Sequence, residues 1–325
     1  WDMYKENRLN KTGIDINKAS WLYTLLFIAY IFLGSMLQTV DLYLGLFAGE
    51  VLILLVPVLV YVKQKKVNFK RYFRLNKITG KEALISVLLT LLVYPLVGIS
   101  STLLIKFYSL FGEVRVPQIN VKSGGLMSLY SVLIIGVLPA ICEEFFVRGL
   151  LSAPAKRAKG RKFTYFYTAL LFMLMHVNPF NIVAPFILGY VFSVLNEKTN
   201  SLYSSMLGHF TFNTCSVILS IFQKDIAEGA VNDMKMITLG EADLDIGLLQ
   251  GVFMVLIAIV IIFVLYRVLS KMKTKEVTEE TDCTLDVEEP AKFSYLPLVF
   301  NIVVWLIMAG ATLLMSLGMI KNMAL

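Results

Sequence analysis

The chain has 325 residues, 57% of them hydrophobic and only 16% charged, with a mean hydropathy of +0.72. Ordinary soluble domains do not carry that balance, so a bilayer is the expected solvent. The formal net charge of +7 does not point to nucleic acid, because the basic residues stand in short clusters between apolar runs and not on one polar face.

The first stretch, about twenty polar residues, lacks a signal peptide's compact charged start and cleavage site, which predicts that the first span stays in place. Apolar runs at 21–37, 42–62, 83–105 and 126–151 are long enough, or nearly so, for the ~20 residues of a spanning helix. Four more follow at 163–177, 182–195, 202–222 and 248–269. A ninth, 295–320, comes after a polar loop, Lys271 to Lys292, that mixes both charge signs and is expected to be flexible.

Backbone in hydrocarbon must satisfy its own hydrogen bonds, so these runs are helices or strands of a closed barrel, and their length and continuity favour helices. The predicted fold is therefore all-α, a polytopic transmembrane helical bundle of about eight or nine spans. We divide it into N-terminal helices (1–125), a core (126–222) and a C-terminal part (223–325) that opens with an acidic outer loop.

Lysine and arginine mark the cytoplasmic side, and they concentrate at 5–18, 63–81, 156–162 and 267–275. Nine alternating spans satisfy every cluster with the N-terminus inside and the C-terminus outside, which puts the Asp- and Glu-rich 223–245 outside. Runs 163–177 and 182–195 are short and are joined by Asn178-Pro179-Phe180-Asn181, a hairpin able to turn within the membrane. That turn would leave His176 below the outer surface, as a buried histidine.

Ionisable groups inside spans are costly and mark function by default. The fourth run ends Cys142-Glu143-Glu144-Phe145-Phe146-Val147-Arg148-Gly149. Adjacent helical positions diverge by about 100°, so Glu144 can pair with Arg148 four residues on while Glu143 faces elsewhere as the free, potentially reactive carboxylate. The chain's two histidines, His176 and His209, both lie in apolar helices, and Asn213 shares a helix face with His209. Cleaving a peptide requires deprotonating water and stabilising an oxyanion. Glu143 with His176 could supply the base, and His209 with Asn213 the donors.

Other polar groups have plainer readings. Glu144 and Arg148 could be an ion pair at the cytoplasmic helix end, and Asp41 a loop residue. Glu50 could snorkel or bond a neighbouring helix, with no second acid at relay spacing. The run Lys156, Arg157, Lys159, Arg161, Lys162 could bind anionic headgroups, but orienting the flanking spans accounts for it. Cys142, Cys215 and Cys283 are an odd number without metal-type spacing.

At Glu143-Glu144 to Arg148, Phe172 to His176 and His209 to Asn213, the sequence resembles the CAAX protease and bacteriocin-processing family of membrane peptidases, which includes the type II CAAX prenyl endopeptidases. The three elements stand in the family's order, EExxxR, FxxxH and HxxxN, over about 80 residues. The resemblance implies an intramembrane peptidase with a central catalytic cavity open to the cytoplasmic side, whose Glu143, helped by His176, activates water, with His209 and Asn213 stabilising the oxyanion and Glu144 and Arg148 orienting and balancing charge. It leaves the metal question open: a zinc held by Glu143, His176 and His209 would be a reasonable site, but HExxH is missing, and a metal-free mechanism is the expectation. GxSG and GxGD, the marks of serine and aspartyl intramembrane proteases, do not occur. A secondary transporter should show internal repeats, and the two halves show none that is convincing; a catalytically silent relative is the other alternative. The expected partners are the lipid bilayer and a peptide or lipidated protein substrate, with no nucleic acid, and the expected location is a bacterial plasma membrane.

Overall fold

A computed structural model describes residues 13–112, 114, 121–122, 124–230, 248–288 and 293–317, with side chains for all of these except 223–230 and 248–249. Their secondary structure is helical. Seven long apolar helices form: α1 (Ile16–Val40), α2 (Leu42–Gln64), α3 (Gly80–Ser109), α4 (Leu126–Lys159), then, after a shorter pair, α7 (Leu202–Ala230), α8 (Leu248–Lys271) and α9 (Leu296–Ser316). Each is long and apolar enough to cross a bilayer. The short pair is α5 (Arg161–Met175) and α6 (Val183–Thr199), of 15 and 17 residues, matching the two short runs in the sequence. The chain is thus an integral, multi-pass helical bundle. The acidic stretch 231–245, expected on the outer side, lies outside the described residues.

Local chemistry sets the helix boundaries. Asp15 caps α1, accepting from Lys18 N, and Asp41 starts α2 by accepting from Tyr43 N and Leu44 N, both at 2.9 Å. Thr79 and Glu82 form a reciprocal capping box at the start of α3. Gly160, at φ +82°, turns the chain between α4 and α5, and Asn200, at φ +48°, ends α6 in the left-handed region.

The core region is central. The α5–α6 hairpin is the most intimate helix pair, α7 packs on α3, α4 and α6, and α1 and α2 flank α4. Helix α8 leans on α3, and α9 on α1 and α5. Without a hydrophobic drive between helices in lipid, close approach at small residues carries much of this packing. At Gly189 of α6 a Cβ would lie 2.9 Å from the Ala169 Cα of α5, and at Gly208 of α7 one would lie 2.8 Å from Thr90 Oγ1 of α3.

The polar loop expected to be flexible is instead folded over the bundle's basic end along its described part. Cys283 and Asp286 are buried, and Ile14 forms an isolated parallel bridge with Val287. Asp286 accepts from Arg71 Nε (2.6 Å) and Nη2 (2.8 Å). Lys275 N donates to Lys198 O at 2.8 Å, and Arg74 Nε donates to Cys283 Sγ at 3.0 Å. One of the loop's acids, Asp286, is thus paired with Arg71 of the segment between α2 and α3. Glu197 is the hub beneath it, accepting from Arg74, Lys156 and Arg161, each at 2.8 Å. Burial alone would push the Glu197 carboxyl up, but these three cations outweigh it and hold its pKa below the usual carboxylate range.

Candidate active site

Helix α4 supplies both carboxylates, and it is not regular where they sit. Val132–Val137 and Phe145–Gly149 are π-helical turns on either side of the α-helical stretch Leu138–Glu144, which has Pro139 near its start. Such widened turns rotate the residues beyond them and recur at functional sites. Across the second turn, Arg148 Nη1 donates to Glu144 Oε1 at 2.7 Å, with both side chains fully buried. The pair expected from the four-residue spacing therefore forms, in the bundle interior and not at a helix end.

Arg148 is held on all sides. Its Nη2 donates to Gly189 O at 3.0 Å, its Nε makes a long contact with Ser193 Oγ at 3.5 Å, and its guanidinium lies over the Phe172 ring, 4.3 Å from the centroid. A bare buried charge costs several kcal/mol, on the order of what pairing and hydrogen bonds must return. Here a carboxylate, a backbone carbonyl and an aromatic face together supply that compensation.

His209 of α7 completes the group. Its Nδ1 is 3.2 Å from Glu144 Oε1 and its Nε2 is 3.8 Å from Glu143 Oε2. The ring stacks on Phe192 and meets Phe172 edge-on, both at centroid distances of 5.4 Å. With Nδ1 donating to Glu144, the Nε2 position faces Glu143 and can itself donate only when the imidazole is doubly protonated. Glu143 Oε2 is buried and has no hydrogen-bond partner among the described residues. Asn213, one turn further along α7, donates from Nδ2 to Ile135 O of α4 at 3.3 Å, tying its carboxamide to the helix that carries the carboxylates.

His176 is placed differently from expectation. It is exposed, not buried, because it caps the C-terminus of α5 and lies past the helix's last packed turn. Its Nδ1 is 2.8 Å from Phe172 O, and its ring meets the Phe172 ring edge-on at 4.8 Å. Phe172 thus contacts His176, Arg148 and His209 alike. The following residue, Val177, has φ +43°, a left-handed conformation that a β-branched residue adopts only under strain. The hairpin tip is braced by Tyr108 of α3, whose hydroxyl donates to Pro179 O at 3.3 Å and whose ring packs on Phe180.

Of the six residues picked from sequence, five (Glu143, Glu144, Arg148, His209 and Asn213) are joined by direct contacts or a shared helix pair, and His176 joins through Phe172. Sequence reasoning missed Phe192, Gly189 and Ser193 of α6, which box in Arg148 and His209. Their spacing on a continuous apolar helix gives no signal distinguishing them from packing residues.

Among the described residues no three His, Cys, Asp or Glu side chains are gathered so that they could hold a metal ion. Glu143, His176 and His209 do not assemble the zinc set in this geometry. Two apolar cavities, of about 410 and 320 Å³, lie along the groove that α6 forms with α8, bounded by α5 and α3, and are lined by residues such as Tyr190, Val194 and Ile262; neither touches the six residues.

Residues 125–215 match the family of type II CAAX prenyl endopeptidase Rce1-like proteins. That segment holds every residue of the polar group just described, and the matched family is one of proteases. No curated protein and no solved structure gives a significant match. The resemblance carried by the three motifs is therefore found again by the family comparison, over the stretch of chain where the motifs stand.

Proposed function

We propose that this chain is an intramembrane endopeptidase that hydrolyses a peptide bond of a membrane-associated or lipid-anchored peptide or protein, reached from the cytoplasmic side of a bacterial plasma membrane. The observation that carries the reading is the contrast between neighbours: Glu144 Oε1 is engaged by Arg148 Nη1 at 2.7 Å and His209 Nδ1 at 3.2 Å, while Glu143, one residue away, accepts no hydrogen bond among the described residues and meets His209 Nε2 at 3.8 Å. A carboxylate left free in a low-dielectric site is a strong base. Glu143 takes a proton from water, the resulting hydroxide adds to the scissile carbonyl, and the same carboxyl returns the proton to the departing amine. His176, with Nε2 open, orients the water from the hairpin side.

The tetrahedral oxyanion is met by His209 Nε2 and Asn213 Nδ2, both fixed before substrate arrives. Glu144 accepts from His209 Nδ1 and so orients the ring, and Arg148 in turn fixes Glu144. Preorganised donors of this kind are each worth about 10²–10³ in rate. The carboxylate–imidazole arrangement needs no metal for either step, so cleavage should survive exhaustive chelation, with metal content of the purified protein measured alongside. Stoichiometric metal whose removal abolishes cleavage and whose return restores it would replace this mechanism.

The test of function is a comparison of membrane-derived peptides from cells carrying the wild-type chain, Glu143→Gln or His176→Ala. Peptides present only with the wild-type chain are expected. Equal peptide profiles in all three, at equal protein levels, would remove the peptidase reading.

A further inference from the structure

Helix α8 packs on α3 and stands off from α6. The two are tied at the basic end, where Lys198 Nζ donates to Met272 O and Lys198 O accepts from Lys275 N, both at 2.8 Å. Above that tie the gap between them forms the two apolar cavities of about 410 and 320 Å³. Ile187 and Ile262 line both, so the cavities are two halves of one groove. Its rim is open to the bilayer, with Tyr190, Ile262 and Tyr266 39%, 49% and 68% exposed.

The halves differ in chemistry. The half nearer the α5–α6 hairpin tip is walled by hydrocarbon such as Leu96, Leu103, Val183 and Ala258. The half nearer the basic end adds the phenols of Tyr165, Tyr190 and Tyr266 and finishes at Lys198 and Ser270. Tyr165 and Tyr190 meet edge-on at 5.9 Å and make its α5–α6 wall. Such amphipathic rings suit the boundary between hydrocarbon and headgroups. An ammonium has three donors, and Lys198 gives one of them to Met272 O. Arg161, one turn before Tyr165, and Lys271, next to Ser270, are exposed at the same end. From Ala258 to Ser270 the α8 wall is about 18 Å long, close to the ~15 Å of hydrocarbon in one leaflet.

The occupant this groove fits is therefore hydrocarbon along most of its length, anionic at one end and supplied by the surrounding bilayer. We propose that the groove binds one anionic phospholipid of the leaflet at the basic end, its phosphate on Lys198 and Ser270 and one acyl chain laid between α6 and α8 past Ile262 and Ile187. The chain supplies the close packing that α8 does not make with α6. Helix α6 bears on the polar group through other residues, since Gly189 O accepts from Arg148 and Phe192 stacks on His209. The lipid thus braces from outside a helix that holds Arg148 and His209 in place. This inference stands on the bundle lying in a bilayer and not on the peptidase reading.

The experiment is native mass spectrometry of the full chain released from nanodiscs of phosphatidylcholine and phosphatidylglycerol in equal amounts, comparing wild type with Ile262→Trp and Lys198→Gln. The wild type is expected to keep one phospholipid, mainly phosphatidylglycerol. Ile262→Trp fills the shared middle of the groove from a half-exposed position and should lose the retained lipid of either kind. Lys198→Gln should keep a lipid but lower the preference for phosphatidylglycerol about fivefold, the worth of one basic residue at a charged headgroup. Thermal melts in nanodiscs of phosphatidylcholine alone show that each variant is folded, and adding phosphatidylglycerol should raise the melting temperature of the wild type more than that of either variant. A wild type that keeps no lipid or keeps both kinds equally would overturn the proposal, as would retention undiminished by Ile262→Trp. If Ile262→Trp does not fold, an unchanged preference in Lys198→Gln overturns it. A lipidated peptide is expected to leave the phosphatidylglycerol in place; its displacement would assign the groove to a substrate's anchor instead.

Discussion

Two buried charge networks in this molecule are built to opposite rules. At the basic end, both oxygens of Glu197 and both of Asp286 accept hydrogen bonds, from Arg74, Lys156 and Arg161 in one case and from Arg71 and Asn68 N in the other. In the α4–α7 core, Glu143 and Glu144 each keep a buried oxygen without a hydrogen-bond partner among the described residues, and Arg148 pairs with Glu144. Saturating a carboxylate rigidifies a structure, while leaving one under-satisfied keeps it reactive at a cost in stability. The first network clamps loops together, and the second is where we propose that the chemistry takes place.

That contrast can be broken most forcefully at Arg148. Arg148→Ala leaves Glu144 buried and uncompensated, a loss of about 3–5 kcal/mol, and we expect a chain that unfolds at much lower temperature in detergent; a thermal melt checks it. Arg148→Lys should rescue little, because one ammonium cannot reach Glu144, Gly189 O and the Phe172 face together. An unchanged melt for Arg148→Ala would place the pair outside the structural core.

Next in size are the donors. His209→Ala and Asn213→Ala should each reduce cleavage by about 10²–10³ while the melt moves little for Asn213, whose bond to Ile135 O is long at 3.3 Å. A loss seen in substrate affinity but not in turnover would reassign them to binding.

The smallest effect is expected at the clamp and depends on pH. The Glu197 carboxyl is held below its ordinary value, so its stabilisation is fully present above the unfolded value of about 4.3 and is lost as pH falls through the folded one. Glu197→Gln should therefore be less stable than wild type at neutral pH and converge with it in acid, as read by melts across pH 3–7. Parallel curves at all pH values would mean that the cations contribute nothing through charge.

Much of this was legible in the sequence, for physical reasons. Span positions follow from apolar runs that a bilayer demands, and the Glu144–Arg148 pair from helical spacing. The short runs on either side of Asn178-Pro179 gave the α5–α6 hairpin. Rotation about a helix was less legible, since four π-helical turns among the described residues add residues that a 100° wheel does not count. Exposure of His176 depended on its being a cap, a boundary that hydropathy does not resolve. The closure of residues 272–288 over the basic end joins groups more than 200 positions apart, as in Arg74 with Cys283, and no local pattern encodes such pairings.

The central claim is that Glu143, and not its neighbour Glu144, activates water. Purified wild-type chain and Glu143→Gln, reconstituted in vesicles with a membrane-anchored reporter peptide, decide it most directly. We predict cleavage by the wild type and a loss of at least about 10²-fold in the variant, with an unchanged melting temperature because the Glu144–Arg148 pair is intact. Cleavage at the wild-type rate by folded Glu143→Gln would contradict the account.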